Sequence, residues 1–126
     1  MNKIKVIIIL VLLIYKTVNA TEYNIKDFGA AENKTATSSI QKAIDACYQN
    51  GGGTVMVPAG TFITGTIILK SNINLHLAYG AELRSSENLD DFLISSSRYG
   101  MIFCQDANNV SITGEGTING MGSSFY

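Results

Sequence analysis

The chain has one histidine and only two cysteines among its 126 residues. Zinc sites are built from cysteine and histidine clusters at short spacings. Cys47 and Cys104 fit no such spacing, so no metal centre is expected. A Gly-Lys-Ser/Thr run is also lacking, although Asn50-Gly51-Gly52-Gly53 stands beside an apolar stretch. A phosphate-binding loop is ordered strand, glycines, helix, so that the helix N-terminus faces the anion. Here a helical pattern precedes the glycines and the β-rich run Thr54–Val57 follows them. That order excludes the nucleotide reading.

An apolar run long enough to span a bilayer is missing too. Val6 to Tyr15 is about 10 residues, against roughly 20 for a spanning helix. It follows the basic start Met1-Asn2-Lys3-Ile4-Lys5 and precedes Lys16-Thr17-Val18-Asn19-Ala20, which has small residues at −3 and −1 of a cleavage site. This is the layout of a secretory signal peptide, expected to be cut after Ala20 and to leave an exported protein with no membrane association. No cysteine stands at the junction to carry a lipid. Of the nine basic residues, Lys3, Lys5 and Lys16 leave with the leader, so six face ten acidic ones, a net charge of about −4. Such a surface offers nucleic acid no electrostatic attraction. In an oxidising compartment the two cysteines could form one disulfide, or both could remain free thiols.

The mature chain contains one helical pattern. Ile40, Ala43, Ile44 and Cys47 recur at i, i+3, i+4 and i+7, placing Cys47 toward a core. Ser38 and Gln41 have capping-box spacing, with Thr37 as a competing N-cap. Asn50-Gly51 ends the helix, because glycine enters the left-handed region at little cost. Before the helix, Glu22–Ala30 reads as a short strand and turn. After it come short apolar runs broken by Gly, Asn and Ser, among them Val55–Val57, Thr61–Ile63, Thr66–Leu69, Ile73–Leu77 and Ala81–Leu83. Strands this short and regular fit a sandwich, a barrel or a β-solenoid.

An internal echo favours the solenoid. Gly65–Leu69 reappears as Tyr99–Phe103, Asn74–Leu77 as Asn109–Ile112, and Leu83 as Ile118, always near 35 residues apart. One coil is expected to lengthen through the polar loop Ser85–Ser97, and Asn72, Asn108 and Asn109 suit tight turns.

The order of motifs resembles a known family. Tyr23–Ala30 looks like the first strand of pectin-degrading β-helix proteins, Ile40–Cys47 like their capping helix, and Gly51–Phe62 like their junction into the first coil. Leu69-Lys70-Ser71-Asn72, Gly80-Ala81-Glu82-Leu83 and Asn109–Gly120 follow in the same order. The set is most similar to glycoside hydrolase family 28, the polygalacturonases and rhamnogalacturonases. The resemblance implies an all-β, right-handed parallel β-helix over residues 21–126, with an N-terminal capping helix and the first few coils. It implies hydrolysis of pectic polysaccharide with inversion by paired carboxylates roughly 6.5–9.5 Å apart, without cofactor or metal. The family's Asn-Thr-Asp, Asp-Asp, Gly-His-Gly and Arg-Ile-Lys segments all fall beyond the position matching Tyr126. No catalytic, cofactor-binding or metal residue is therefore assigned here.

Several residues invite a functional reading. Asp90-Asp91 looks like the family's pair but sits in the long polar insert, and adjacent strand residues point to opposite faces. His76 alternates with Leu75 and Leu77, which suggests a surface position. Lys70, Arg84 and Arg98 could meet substrate carboxylates. Asn119 stands where many relatives have Asp and reads as a turn substitution. Asn33-Lys34-Thr35 and Asn109-Val110-Ser111 match the glycosylation sequon, the second in an expected strand. The leading expectation is the N-terminal part of a secreted polygalacturonase-type hydrolase, inactive and marginally soluble on its own. The alternatives are a short non-catalytic β-solenoid binding polysaccharide or a partner chain, and a related β-helix lyase, epimerase or adhesin.

Overall fold

The computed structural model describes residues 21–120; the expected leader, with its cut after Ala20, lies outside them, as do residues 121–126. Strand β1 (Glu22–Asn24) leads through a 3-10 turn, Ile25–Phe28, toward helix α1 (Thr37–Gln49). Then come β2 (Gly53–Val57), β3 (Gly60–Thr64), β4 (Ile67–Leu69), β5 (Ile73–Leu77) and β6 (Ala81–Ser85). A second 3-10 turn, Leu89–Phe92, and a small antiparallel hairpin of β7 (Leu93–Ile94) and β8 (Ser97–Arg98) follow. Strands β9 (Ile102–Cys104), β10 (Ser111–Gly114) and β11 (Thr117–Asn119) complete the described chain.

Successive strands do not pair with one another. β2 pairs with β5 and β5 with β10; β3 pairs with β6 and β6 with β11; β4 pairs with β9, all in parallel. Each coil thus lays one strand on each of three faces before rising to the next. This is a right-handed parallel β-helix, as expected. Alternation does the rest, since every second residue of a strand points inward. Val55, Val57, Phe62, Ile67, Leu69, Ile73, Leu75, Leu77, Ala81 and Leu83 form the buried core, closed below by Ile40, Ala43, Ile44 and Cys47 of α1.

The register corrects the sequence echo. Gly53 faces Ile73, 20 residues on, and Gly60 faces Ala81, 21 residues on. The basic coil is therefore shorter than 35 residues. Ile67 faces Ile102, 35 residues on, and Glu82 faces Thr117, again 35 on, because the insert between β6 and β9 lies within both intervals. Ile67 stacks on Ile102 rather than Met101, a one-residue slip from the sequence alignment. Asn74 pairs with Ser111 rather than Asn109, a slip of two. Asn109 stacks instead on Asn72: both adopt left-handed geometry (φ 59° and 64°), and the Asn109 amide donates to Asn72 Oδ1 at 3.1 Å. Asn72 and Asn109 thus take the left-handed turn geometry expected of them, two positions out from the echo in their pairing, while Asn108 does not adopt it.

Helix α1 ends as expected, and it begins otherwise. Gly52 N–H donates to the Cys47 carbonyl at 2.9 Å and Gly51 N–H to that of Tyr48 at 3.1 Å, satisfying carbonyls of the last turn. Gly52 has φ 101°, and a Cβ there would lie 2.5 Å from the Asn72 carbonyl oxygen, so glycine lets the second coil settle on this joint. At the other end the N-cap is Ala36, and no side chain caps the helix. The expected Ser38/Gln41 capping box does not form, because Thr37 and Gln41 are used across the fold. Thr37 Oγ1 accepts from Gly65 N–H at 2.8 Å. Gln41 Oε1 accepts from Ile68 N–H at 2.8 Å, and its Nε2 donates to the Ile68 carbonyl at 3.1 Å. The two cysteines are free: Cys47 is buried below the first coil, and Cys104 stands over Leu69 in the second.

Candidate functional site

The insert between β6 and β9 is held by the first coil. Thr66 N–H donates to the Asp91 carbonyl at 3.0 Å, and Gly65 lies so close to that carbonyl that any Cβ would overlap it. The Asp91 carboxylate accepts a short hydrogen bond from Ser86 Oγ. Asp90 is exposed in the first turn of the 3-10 segment Leu89–Phe92, whose N-cap, Asn88, accepts from the Asp90 N–H at 3.0 Å. Asp91 is thus committed to loop structure and Asp90 faces solvent. The expected solvated loop is what is found.

His76 lies on the outer face of β5 with Nδ1 2.8 Å from Thr113 Oγ1 of the neighbouring coil, a hydrogen-bonded surface histidine. Arg84 on β6 pairs with Glu82 at 2.9 Å. Glu82 also accepts from Thr61 at 3.2 Å and from Asn119 at 3.5 Å, forming a polar column across three coils. Asn119 belongs to β11 rather than to a turn and pairs in register with Arg84, so its reading as a turn substitution is corrected. Asn109 precedes β10, so the second sequon begins at a turn rather than in a strand, with its amide already engaged by Asn72. Arg98 is exposed on β8.

Lys70 leads to a groove on the outside of β4 and β9. Its Nζ is 2.8 Å from Asp45 of α1 and 5.3 Å above the Tyr48 ring. Desolvation pushes the Asp45 carboxyl up, but hydrogen bonds from Lys70 and Gln41 with the lysine charge outweigh it and hold the group below its ordinary value. The groove has a volume of about 440 Å³ and is lined by Tyr48, Lys70, Tyr99, Phe103, Gln105 and Asp106, among others. Tyr99 and Phe103 are in contact, centroids 4.5 Å apart and planes tilted by 55°. Only Lys70 of this group was singled out by the sequence. Tyr48 could have been found, because it follows buried Cys47 on the helix and must point elsewhere. Nothing in the sequence joins it to Tyr99 and Phe103, some fifty residues away. Burial pushes the Cys47 thiol up and keeps it protonated, so it is a packing residue rather than a nucleophile. Among the described residues no group of three or more His, Cys, Asp or Glu could hold a metal ion.

No protein-family model matches the chain. Individual proteins do. An exo-poly-alpha-D-galacturonosidase of Dickeya chrysanthemi is 47% identical over 77 residues, covering 61% of this chain and 12% of that protein. An endo-polygalacturonase of Pectobacterium carotovorum subsp. carotovorum is 34% identical over 106 residues, covering 73% of this chain and 26% of that protein. A family 28 exopolygalacturonase of Yersinia enterocolitica superposes with a TM-score of 0.69 at 35% identity, over 79% of this chain and 21% of that one. The shared fold defines the class: this is a segment of a polygalacturonase-like right-handed β-helix. Sequence and structure together place it with the polygalacturonases of glycoside hydrolase family 28. The chain spans between 12% and 26% of the length of these curated relatives. An alginate lyase 7 of Azotobacter vinelandii is also similar, 47% identical over 62 residues, 41% of this chain and 7% of that protein.

Proposed function

We propose that residues 21–126 are the capping, coil-nucleating part of an exported hydrolase that cuts pectic polysaccharide, with its catalytic carboxylates on coils farther along. The observation that carries this reading is the coil register, which builds the same β-helix as a family 28 exopolygalacturonase over 79% of this chain and 21% of that one. Export rests on the leader pattern of residues 1–20. In this reading α1 and the first coil fix the axis on which later coils stack, and the chemistry is the two-carboxylate hydrolysis of an inverting glycosidase. The test is to express residues 21–126 and, separately, a chain extended by whatever sequence follows at the locus, and to measure reducing ends released from polygalacturonate. Release by the extended chain alone is the expected result. Release by 21–126, or none by an extended chain of several more coils, would overturn the proposal.

A second reading is favoured by the similarity to the alginate lyase. Alginate and polygalacturonate are both uronic-acid polymers, so the same capping unit would serve elimination as well as hydrolysis. An unsaturated, ultraviolet-absorbing non-reducing end, formed together with the new reducing end, would select it; hydrolysis gives the reducing end without that absorbance.

A further inference from the structure

We propose that the groove over β4 and β9 is a binding site for a uronic-acid saccharide. Three observations converge there. First, Tyr48, Tyr99 and Phe103 bring three rings from α1, the insert and β9 to one concave surface, and Tyr48 is 46% exposed. A pyranose has a C–H face and a hydroxyl rim, and the C–H face suits the electron-rich face of an aromatic ring. Second, Lys70 is an ammonium with three N–H donors, and its partners are the Asp45 carboxylate and the Tyr48 ring. Donors therefore remain for a sugar carboxylate, on a cation already fixed in place by those partners. Third, Gln105 and Asp106, both exposed, border the same groove and offer an amide and a carboxylate to hydroxyls. A cavity of about 440 Å³ falls in the range of small-ligand sites.

A carboxylate on the sugar is what distinguishes this site from a general saccharide platform, because Lys70 is the groove's basic residue. This inference rests on the pectic reading for its substrate class but not for its geometry.

The experiment is calorimetric titration of trigalacturonate into the full chain, with methyl-esterified trigalacturonate as the neutral probe. The acid form should bind and the ester about twofold to fivefold more weakly, the ratio expected for losing one surface charge contact. Tyr48→Ala should weaken both probes by a similar factor, the loss of one ring contact, whereas Tyr48→Phe should keep binding. Lys70→Met should remove the preference for the acid form. Because Tyr48 and Lys70 lie outside the buried core, these variants test the groove without touching it, and Arg84→Ala on another face should bind like the parent. No binding of either probe, or parental binding by both Tyr48→Ala and Lys70→Met, would overturn this site. Either outcome would leave the release of reducing ends by an extended chain untouched, so the two proposals fail separately.

Discussion

The two ends of this solenoid contain matching strands and differ in what covers them. Below the first coil every face is closed by a different device. β1 pairs with β2; the segment before α1 pairs with β3 through Asn33 to Thr61, Ala36 to Ile63 and Ile63 to Lys34; the Gln41 amide closes β4. At the other end, among the described residues, β9, β10 and β11 pair on one side only. Ile112 faces Leu75 and Ile118 faces Leu83, yet they are 47% and 41% exposed while both partners are fully buried. Burial in a stacked fold therefore belongs to the layer above as much as to the residue itself.

The widest separation between the ends should come from truncating matched core positions. Phe62→Ala removes a fully buried ring and should cost ~3–5 kcal/mol in a urea titration. Ile118→Ala, two coils above it in the same column, should cost under about 1 kcal/mol, because the side chain is 41% exposed already. Equal losses would show that the third coil is covered in solution and would dissolve the contrast. A smaller effect tests the joint between helix and coils. Gly52→Val combines φ 101° with overlap on Asn72 and should destabilise by about 2 kcal/mol or more. Gly51→Ala, where a Cβ meets nothing, should cost only the conformational strain, about 1 kcal/mol.

The edge closure itself can be removed. Gln41→Met should cost about 1 kcal/mol and speed hydrogen exchange at the Ile68 amide, leaving exchange in β2 and β5 unchanged. The smallest effect is on pH. Asp45 has a folded pKa below its unfolded one, so its contribution is present above the unfolded value and disappears as pH falls through the folded value. Asp45→Asn should flatten that acid limb in a melting series against pH. An unchanged limb would show that Lys70 does not hold the carboxylate in solution.

The fold was legible because three kinds of local signal agreed. Alternation marked the strands, the Ile40–Cys47 spacing marked the helix, and Asn50–Gly53 marked its end. The coil period was harder to see, since every visible echo crossed the same insert and none compared the first coil with the second. Ser38 and Gln41 misled for a different reason: capping boxes are local, and Gln41 is recruited by a strand 27 residues away. His76, Asp90 and Asp91 were placed correctly as surface and loop residues, whereas Asn119, read as a turn, lies in β11. The aromatic groove stayed hidden because it is assembled by stacking, from an outward helix position, an insert and a second-coil strand.

One side chain shows how economical the closed end is. The Gln41 amide presents the same acceptor and donor as a peptide unit, and Ile68 bonds to both as it would to a neighbouring strand. A single residue thus imitates one further rung, and a template for unwanted fibril growth becomes a dead end. Hydropathy cannot register such protection, since glutamine on a helix looks like any solvated polar position. Guarding against polymerisation can rest on a residue whose sequence advertises nothing but solubility.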